Sequence, residues 1–197
     1  MKKLLKENFD SINLYGKLSL LTESQTKQIF QGIEWVSKNY KDAVIIGGTA
    51  IVYYLNGGRN LTPDIDFLIE DISDLKLKLE SDNIPYKSIL GSAGSIGITV
   101  ENFNTDFLSV NSGNKYVNKL ILKTAKMANV GGYQIKIAIP ELLAIMKFEL
   151  GRDKDTDDGF ALLTSGKLNK DTYIEIVTGL KNYLEEYESL LSYAELI

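Results

Sequence analysis

The chain of 197 residues contains no cysteine and no histidine. Without cysteine it can form no disulfide, no thiolate metal site and no cysteine nucleophile. Without histidine it can build neither a Ser-His-Asp triad nor a histidine-ligated zinc site. The residues left for chemistry are carboxylates, lysine, arginine and tyrosine. Hard oxygen ligands of this kind suit Mg²⁺ or Mn²⁺.

The sequence also lacks a long hydrophobic run and an excess of positive charge. No stretch of about 18 apolar residues occurs, and the basic start MKKLLKENFD precedes no apolar segment of signal-peptide length. We therefore expect a cytoplasmic protein that has no membrane segment. A net charge of −4 argues against a broadly basic nucleic-acid surface, although a local patch could still bind RNA.

Hydrophobic periodicity predicts an α+β fold. Thr22 and Gln25 form a capping-box pattern that predicts a helix of roughly 17 residues. A buried strand at 43–47, a helix that ends near Leu55 and a strand around Ile65 follow. The expected architecture is a mixed β-sheet flanked by helices. We expect residues 1–139 to form the α/β core with its N-terminal helix, and residues 140–197 to form a helical C-terminal part packed on that core.

The second half of the chain carries clear turn and helix signals. The asparagines at 102 and 104 predict a hairpin turn there, and the glycine pair at 131–132 predicts another turn between two strands. Pro140 is expected at the first position of a helix. Apolar residues alternate at spacings of four and three over 171–191, a pattern that predicts one continuous helix.

The most informative segment is 43–70, AVIIGGTAIVYYLNGGRNLTPDIDFLIE. Its buried strand ends at Gly47 and Gly48, where the absence of Cβ atoms lets backbone amides approach a ligand and a helix start favours anions. Asp64 and Asp66 then point to one side of the next strand. Two adjacent carboxylates are costly unless a cation lies between them. Phosphates at one end and Mg²⁺ at the other are the expectation.

A third carboxylate would complete such a site. Asp106 lies within an apolar strand pattern, and Glu101 is an alternative to it. Only the pairing of the strands can decide, because the third carboxylate must face the same way as Asp64 and Asp66 on a nearby strand. The sequence alone leaves this choice open.

These motifs resemble the nucleotidyltransferase superfamily that includes DNA polymerase beta. The family pattern is a Gly-Gly or Gly-Ser turn, then an acidic-hydrophobic-acidic strand, then a third acid on a later strand. The sequence looks most like bacterial nucleotidyltransferases related to AbiEii-type toxins. That narrower resemblance rests on Gly47-Gly48-Thr49-Ala50, Arg59, Thr62, Asp64-Ile65-Asp66-Phe67, Lys147, Arg152, Lys154, Asp155 and Asp158.

The resemblance implies roles for individual residues. The metal ligands would be Asp64, Asp66 and Asp106, and Lys147 would neutralise charge on the leaving pyrophosphate. Nucleotide contacts would come from Gly47, Gly48, Thr49, Arg59, Thr62, Lys154 and Asp158. A solvated, acidic helix start is the plainer account of the segment 151–159.

The resemblance implies a metal-dependent enzyme that moves a nucleoside monophosphate from a nucleoside triphosphate (NTP), such as ATP, to an acceptor. Mg²⁺ or Mn²⁺ would be the cofactor, and the NTP the co-substrate. The acceptor stays open among tRNA, protein and small molecules, as does a role as a toxin with an antitoxin partner. The alternative is a catalytically silent nucleotide-binding or protein-interaction module on the same fold.

Overall fold

A computed structural model of the protein describes residues 22–55, 64–90 and 96–197. Within these ranges the chain forms one seven-stranded mixed sheet and eight α-helices, which confirms the predicted α+β class. The strands are β1 (Val44–Ile46), β2 (Ile65–Ile69), β3 (Lys87–Leu90), β4 (Ile96–Val100), β5 (Thr105–Ser109), β6 (Lys126–Val130) and β7 (Tyr133–Ile137). The helices are α1 (Glu23–Asn39), α2 (Gly47–Leu55), α3 (Ile72–Ser81), α4 (Lys115–Thr124), α5 (Pro140–Leu150), α6 (Asp153–Leu163), α7 (Lys170–Gly179) and α8 (Tyr187–Ser192).

The strand order is β3-β4-β5-β2-β1-β7-β6. Two neighbouring pairs, β1–β7 and β2–β5, are parallel, and the other pairs are antiparallel. Because β1 is antiparallel to β2, the carboxyl end of β1 lies at the same end of the sheet as the amino ends of β2 and β5. We call this the acidic end, after Asp66 and Asp106.

The two sides of the sheet have different roles. On one side, Phe67 stacks on Phe107 with ring centroids 5.4 Å apart, and Trp35 of α1 meets Phe107 edge-on at 6.4 Å. Side chains alternate along a strand, so Asp66 and Asp106 project from the opposite side. Helix α2, which begins at the acidic end, packs against β2 and against α5 and α6. Ile65, Phe67 and Ile69 are thus buried on one side of β2, whereas the opposite side carries Asp66 and the buried Leu68.

Several local predictions are confirmed. Thr22 caps α1 in a capping box with Gln25. The residues at 102–104 turn the chain between the antiparallel strands β4 and β5, by way of a short 3₁₀ helix over Glu101–Phe103. The glycine pair at 131–132 joins β6 to β7, and Pro140 occupies the first turn of α5. Turn chemistry is local, which explains why the sequence predicts these features well.

The single helix predicted over 171–191 is wrong. Helix α7 ends at Gly179, a 3₁₀ turn follows over Lys181–Tyr183, and α8 begins only at Tyr187. Apolar residues of the stripe are nevertheless buried, including Tyr173, Val177 and Leu180. Tertiary packing therefore buries the same apolar residues although the helix is broken. The break comes at Gly179, and a glycine destabilises a helix by about 1 kcal/mol relative to alanine.

The C-terminal helices share the core of the sheet domain. Tyr173 is fully buried, and its hydroxyl donates to the carbonyl oxygen of Leu190 at 3.0 Å. Phe148 of α5 contacts Phe160 and Tyr193 at centroid distances of 5.1 and 4.8 Å. The division of the chain at residue 140 stays a prediction. In the part of the chain that the structure describes, no helix is both long and apolar enough to cross a membrane.

Candidate active site

Strand register brings two predicted carboxylates together at the acidic end. Asp66 pairs with Asp106 across the parallel strands β2 and β5, and with Ile46 across β1 and β2. Paired residues on neighbouring strands project from the same side of a sheet. Asp64 lies in the bend directly before β2, two residues from Asp66. The three carboxylates predicted from the sequence therefore gather at one end of the sheet.

Gly47 forms the wall against which Asp66 lies. Its φ angle is +62°, and a Cβ atom built on it would come within 1.9 Å of Asp66 Oδ2. Any larger residue would displace the Asp66 carboxylate. The first glycine of the predicted pair is thus explained by close approach of a side chain as well as by backbone conformation.

We expect Gly47→Ala to lower the free energy of unfolding by about 2–4 kcal/mol, because left-handed strain and steric overlap add. Gly113→Ala is the matched control: its φ is +57°, but nothing lies within 4 Å of the added Cβ. That variant should lose only about 1 kcal/mol. Urea denaturation of both variants measures the difference. Equal losses would contradict the claim that Asp66 is pressed against Gly47.

The electrostatics of the carboxylates show that they repel one another. Burial and the charges of Asp64 and Asp106 together raise the pKa of Asp66 to about 7, against the opposing effect of Lys147 and Lys154. Burial also raises the pKa of Asp106, and Asp64 adds to this. A bound cation would relieve the repulsion.

Thr99 is a residue of the site that the sequence analysis missed. It lies opposite Asp106 across β4 and β5, and its Oγ1 donates to Asp106 Oδ1 at 2.7 Å. This hydrogen bond opposes the rise in the pKa of Asp106. The signal was present in the sequence, since a hairpin turning at 102–104 places residue 99 opposite residue 106.

Glu101 differs from Asp64, Asp66 and Asp106 in its exposure and its partner. It begins the 3₁₀ helix after β4, its side chain is 64% exposed, and it pairs with Lys87. Asp106, by contrast, is half-buried and in register with Asp66. The geometry therefore favours Asp106 as the third carboxylate.

The first turn of α2 is packed tightly. Gly47, Gly48 and Thr49 are all buried, and Thr49 is only 4% exposed. The Thr49 hydroxyl donates to the carbonyl oxygen of Asp64 at 3.4 Å, a long hydrogen bond. Thr49 thus ties the start of α2 to the residue before β2. Its predicted contact with a phosphate would require this weak bond to open.

Lys147 lies in a buried ion cluster between α5 and α6. Its Nζ is 2.6 Å from Asp155 Oδ1 and 3.1 Å from Asp158 Oδ2, and Arg152 also donates to Asp155. Burial alone would raise the pKa of Asp155, but hydrogen bonds from Arg152 and Lys147 outweigh it and hold the pKa below its usual range. Two carboxylates fix the position of the Lys147 ammonium group.

The remaining predicted contacts divide into two groups. Lys154 is exposed at the start of α6, and its charge lowers the pKa of Asp66. Asp158 is buried and directed at Lys147. Arg59 and Thr62 lie outside the described residues. The roles of all four towards a nucleotide stay predictions.

The donor chemistry of the site fits a divalent cation. Among residues 22–55, 64–90 and 96–197, no three acidic side chains already stand in the arrangement of a metal site. The raised pKa values of Asp66 and Asp106 nevertheless show carboxylates held near one another at a cost in free energy. Carboxylate oxygens are the ligands that Mg²⁺ prefers, so Asp64, Asp66 and Asp106 are suited to hold it.

The fold and this site define an α+β protein in which a glycine turn and paired strand carboxylates share one end of a mixed sheet. Residues 26–190 match the family model described as "Nucleotidyl transferase of unknown function (DUF2204)". The chain belongs to this family of nucleotidyl transferases.

Solved structures also match the chain. One is the crystal structure of an antigenic nucleotidyltransferase-like protein from Paracoccidioides brasiliensis, which is 14% identical, with 89% of this chain and 94% of that chain covered and a TM-score of 0.49. No curated protein matches the chain. The narrower similarity to AbiEii-type toxins stays a prediction.

Proposed function

We propose that the protein transfers a nucleoside monophosphate from an NTP to an acceptor hydroxyl or phosphate in a reaction that depends on Mg²⁺ or Mn²⁺. The observation that carries this proposal is the register of Asp66 with Asp106 beside Gly47 and the start of α2. In this arrangement, carboxylates for a cation lie next to backbone groups suited to phosphates.

Each part of the site has a role in this scheme. Asp64, Asp66 and Asp106 would hold the cation, and Thr99 keeps the Asp106 carboxylate in one orientation. Bound Mg²⁺ would bring triphosphate and acceptor into line and lower the pKa of the attacking hydroxyl. The α2 N-terminus would receive the triphosphate. Lys147, held by Asp155 and Asp158, would place positive charge towards the departing pyrophosphate.

Transfer can be tested without knowledge of the acceptor. The protein is incubated with each labelled NTP and cell extract, with Mg²⁺, Mn²⁺ or a chelator, and the product is treated with nuclease or protease. We expect metal-dependent labelling of one class of acceptor. NTP binding without labelling would instead support the silent nucleotide-binding module.

Asp106→Asn should lower transfer by about a hundredfold or more, because the variant loses a charged ligand in line with Asp66. Glu101→Gln is the matched control: it also removes one negative charge nearby, yet the exposed Glu101 should leave transfer within about twofold. Initial rates of label transfer measure both. A larger loss from Glu101→Gln would make Glu101 the third carboxylate.

A toxin role would be an extension of the same chemistry. Growth arrest on expression, absent for an Asp64→Asn variant, would support it. Relief of the arrest by the product of a neighbouring gene would identify the antitoxin partner.

A further inference from the structure

A lysine-rich, acid-free segment interrupts the acidic chain. The sequence between Asp106 and Glu141 contains five lysines and neither aspartate nor glutamate, although the whole chain carries a net charge of −4. A stretch of this length with charge of only one sign is a local electrostatic feature that net charge hides.

Four of these lysines are exposed along α4 and at the start of the strand that follows it. Lys115, Lys119 and Lys123 recur every fourth residue, so they share one side of α4, and all three are exposed. Lys126, two residues after α4, is exposed at the start of the edge strand β6. We call these four residues the lysine surface.

The lysine surface lacks ion-pair partners among the residues that the structure describes. Within the described ranges, none of its four ammonium groups forms an ion pair with a carboxylate. Lys136, the fifth lysine of the segment, differs because it pairs with Asp42 at 2.6 Å. The four charges are thus available to an external polyanion.

Sheet topology directs this surface towards the acidic end. Strand β5 ends at the opposite end of the sheet, and α4 carries the chain back over about 15 Å. Lys126 is then in register with Ile137, and Ile137 with Ile45, the second residue before Gly47. An external polyanion that follows the lysines from Lys115 to Lys126 would therefore approach the end of the sheet that bears the carboxylates.

Exposed apolar side chains accompany the charges. Tyr116, which is 36% exposed, stacks on Tyr183 at a centroid distance of 3.7 Å, and Lys115 Nζ lies 5.2 Å from the centre of the Tyr116 ring. Flat rings and lysines in succession can contact bases and phosphates of a single strand.

We propose that the lysine surface binds single-stranded RNA, and that RNA is the acceptor of the transfer. The second half of this statement rests on the proposed function. Spaced charges that lead to the end of the sheet bearing the carboxylates suit a repeating phosphate backbone whose terminal hydroxyl would reach the site. An acidic protein would satisfy the charges but would gain nothing from the exposed tyrosines.

RNA binding is tested on the full chain without NTP. Fluorescence anisotropy with a short labelled single-stranded RNA is measured over a range of salt concentrations. Simultaneous replacement of Lys115, Lys119, Lys123 and Lys126 by Ala should weaken binding about tenfold or more and reduce the log–log salt slope by about 3, since each phosphate contact contributes about 0.7.

The matched control removes the same charge elsewhere. Lys27, Lys41, Lys167 and Lys170 are exposed and form no ion pair within the described ranges, and their replacement by Ala should change RNA affinity less than about twofold. Equal losses of RNA affinity from both sets of replacements would overturn the inference that the lysine surface binds RNA. If a polyglutamate peptide displaced the labelled RNA as well as unlabelled RNA does, the inference would also be overturned.

Failure of this inference can be told apart from failure of the proposed function. Label that moves only to protein or to a small molecule would overturn RNA as the acceptor and leave nucleotidyl transfer intact. If RNA binding depends on the four lysines but the protein transfers no label, the lysine surface binds RNA and the proposed function is overturned.

Discussion

Replacing Asp66 by Asn should lower nucleotidyl transfer by about a thousandfold or more and, in the same protein, stabilise the metal-free fold at pH 8. Both effects come from one carboxylate. Asp66 is pressed against Gly47 and repelled by Asp64 and Asp106, so its charge is costly in the metal-free fold. If Asp66 acts as the proposed function requires, a residue kept for catalysis weakens the fold that carries it.

The sign of the stability change follows from the pKa. Because the folded-state pKa of Asp66 is about 7, above its unfolded value, the folded state holds the proton longer as pH rises. The stability that protonated Asp66 contributes is fully present below its unfolded pKa near 4. It is lost as the pH rises to about 7. The Asn variant lacks this loss, so we expect it to be more stable by about 1–3 kcal/mol at pH 8 and no more stable at pH 4.

Urea denaturation with a chelator at both pH values measures this difference, and label transfer measures the loss of activity. Asp74→Asn serves as the control, because Asp74 is exposed in the first turn of α3. Retained transfer in the Asp66 variant would refute the catalytic scheme. A gain in stability that is equal at pH 4 and pH 8 would refute the electrostatic explanation.

Asp155→Asn is expected to lower the free energy of unfolding by about 3 kcal/mol or more, because it leaves Lys147 buried with half of its counter-charge. Asp155 is fully buried and accepts from both Lys147 and Arg152. Its lowered pKa means that its stabilising charge is present above the unfolded pKa and is lost as pH falls. The variant should therefore also flatten the decline in stability in acid.

The exposed pair Lys38–Glu34 provides the control for burial. Its N–O distance is 2.5 Å, close to the 2.6 Å of Lys147–Asp155, yet its side chains are 63% and 42% exposed. Lys38→Ala should change the free energy of unfolding by less than about 0.5 kcal/mol. Similar losses from Lys38→Ala and Asp155→Asn in urea denaturation would show that burial does not strengthen the Lys147 cluster.

The pairing of the carboxylates marks the boundary of what local pattern can predict. Asp64 and Asp66 were placed on one side of a strand by period-two alternation, which depends on neighbouring residues only. The choice between Asp106 and Glu101 depended on which strand lies beside β2 and in which register. That pairing joins segments far apart in sequence, and no pattern within either segment fixes it.

The same boundary explains the other differences. The hairpin at 102–104 was predicted, and with it the position of Thr99 could have been found, because a hairpin is a local structure. The continuous helix over 171–191 was wrong because burial of Tyr173 and Val177 satisfies an apolar stripe whether or not the helix is broken. Periodicity reports which residues are buried more reliably than it reports where a helix ends.

The sequence by itself determined the chemical repertoire: the absence of cysteine and histidine leaves carboxylates and lysine, and the segment 43–70 supplies a glycine turn and two of the acids. Only the tertiary structure decided that Asp106 is in register with Asp66 and that Asp155 and Asp158 hold Lys147. It also decided that the lysine surface leads to the same end of the sheet. Residue types and the periodicity of apolar residues can be read from a short segment of sequence. Strand register and helix packing depend on contacts throughout the core.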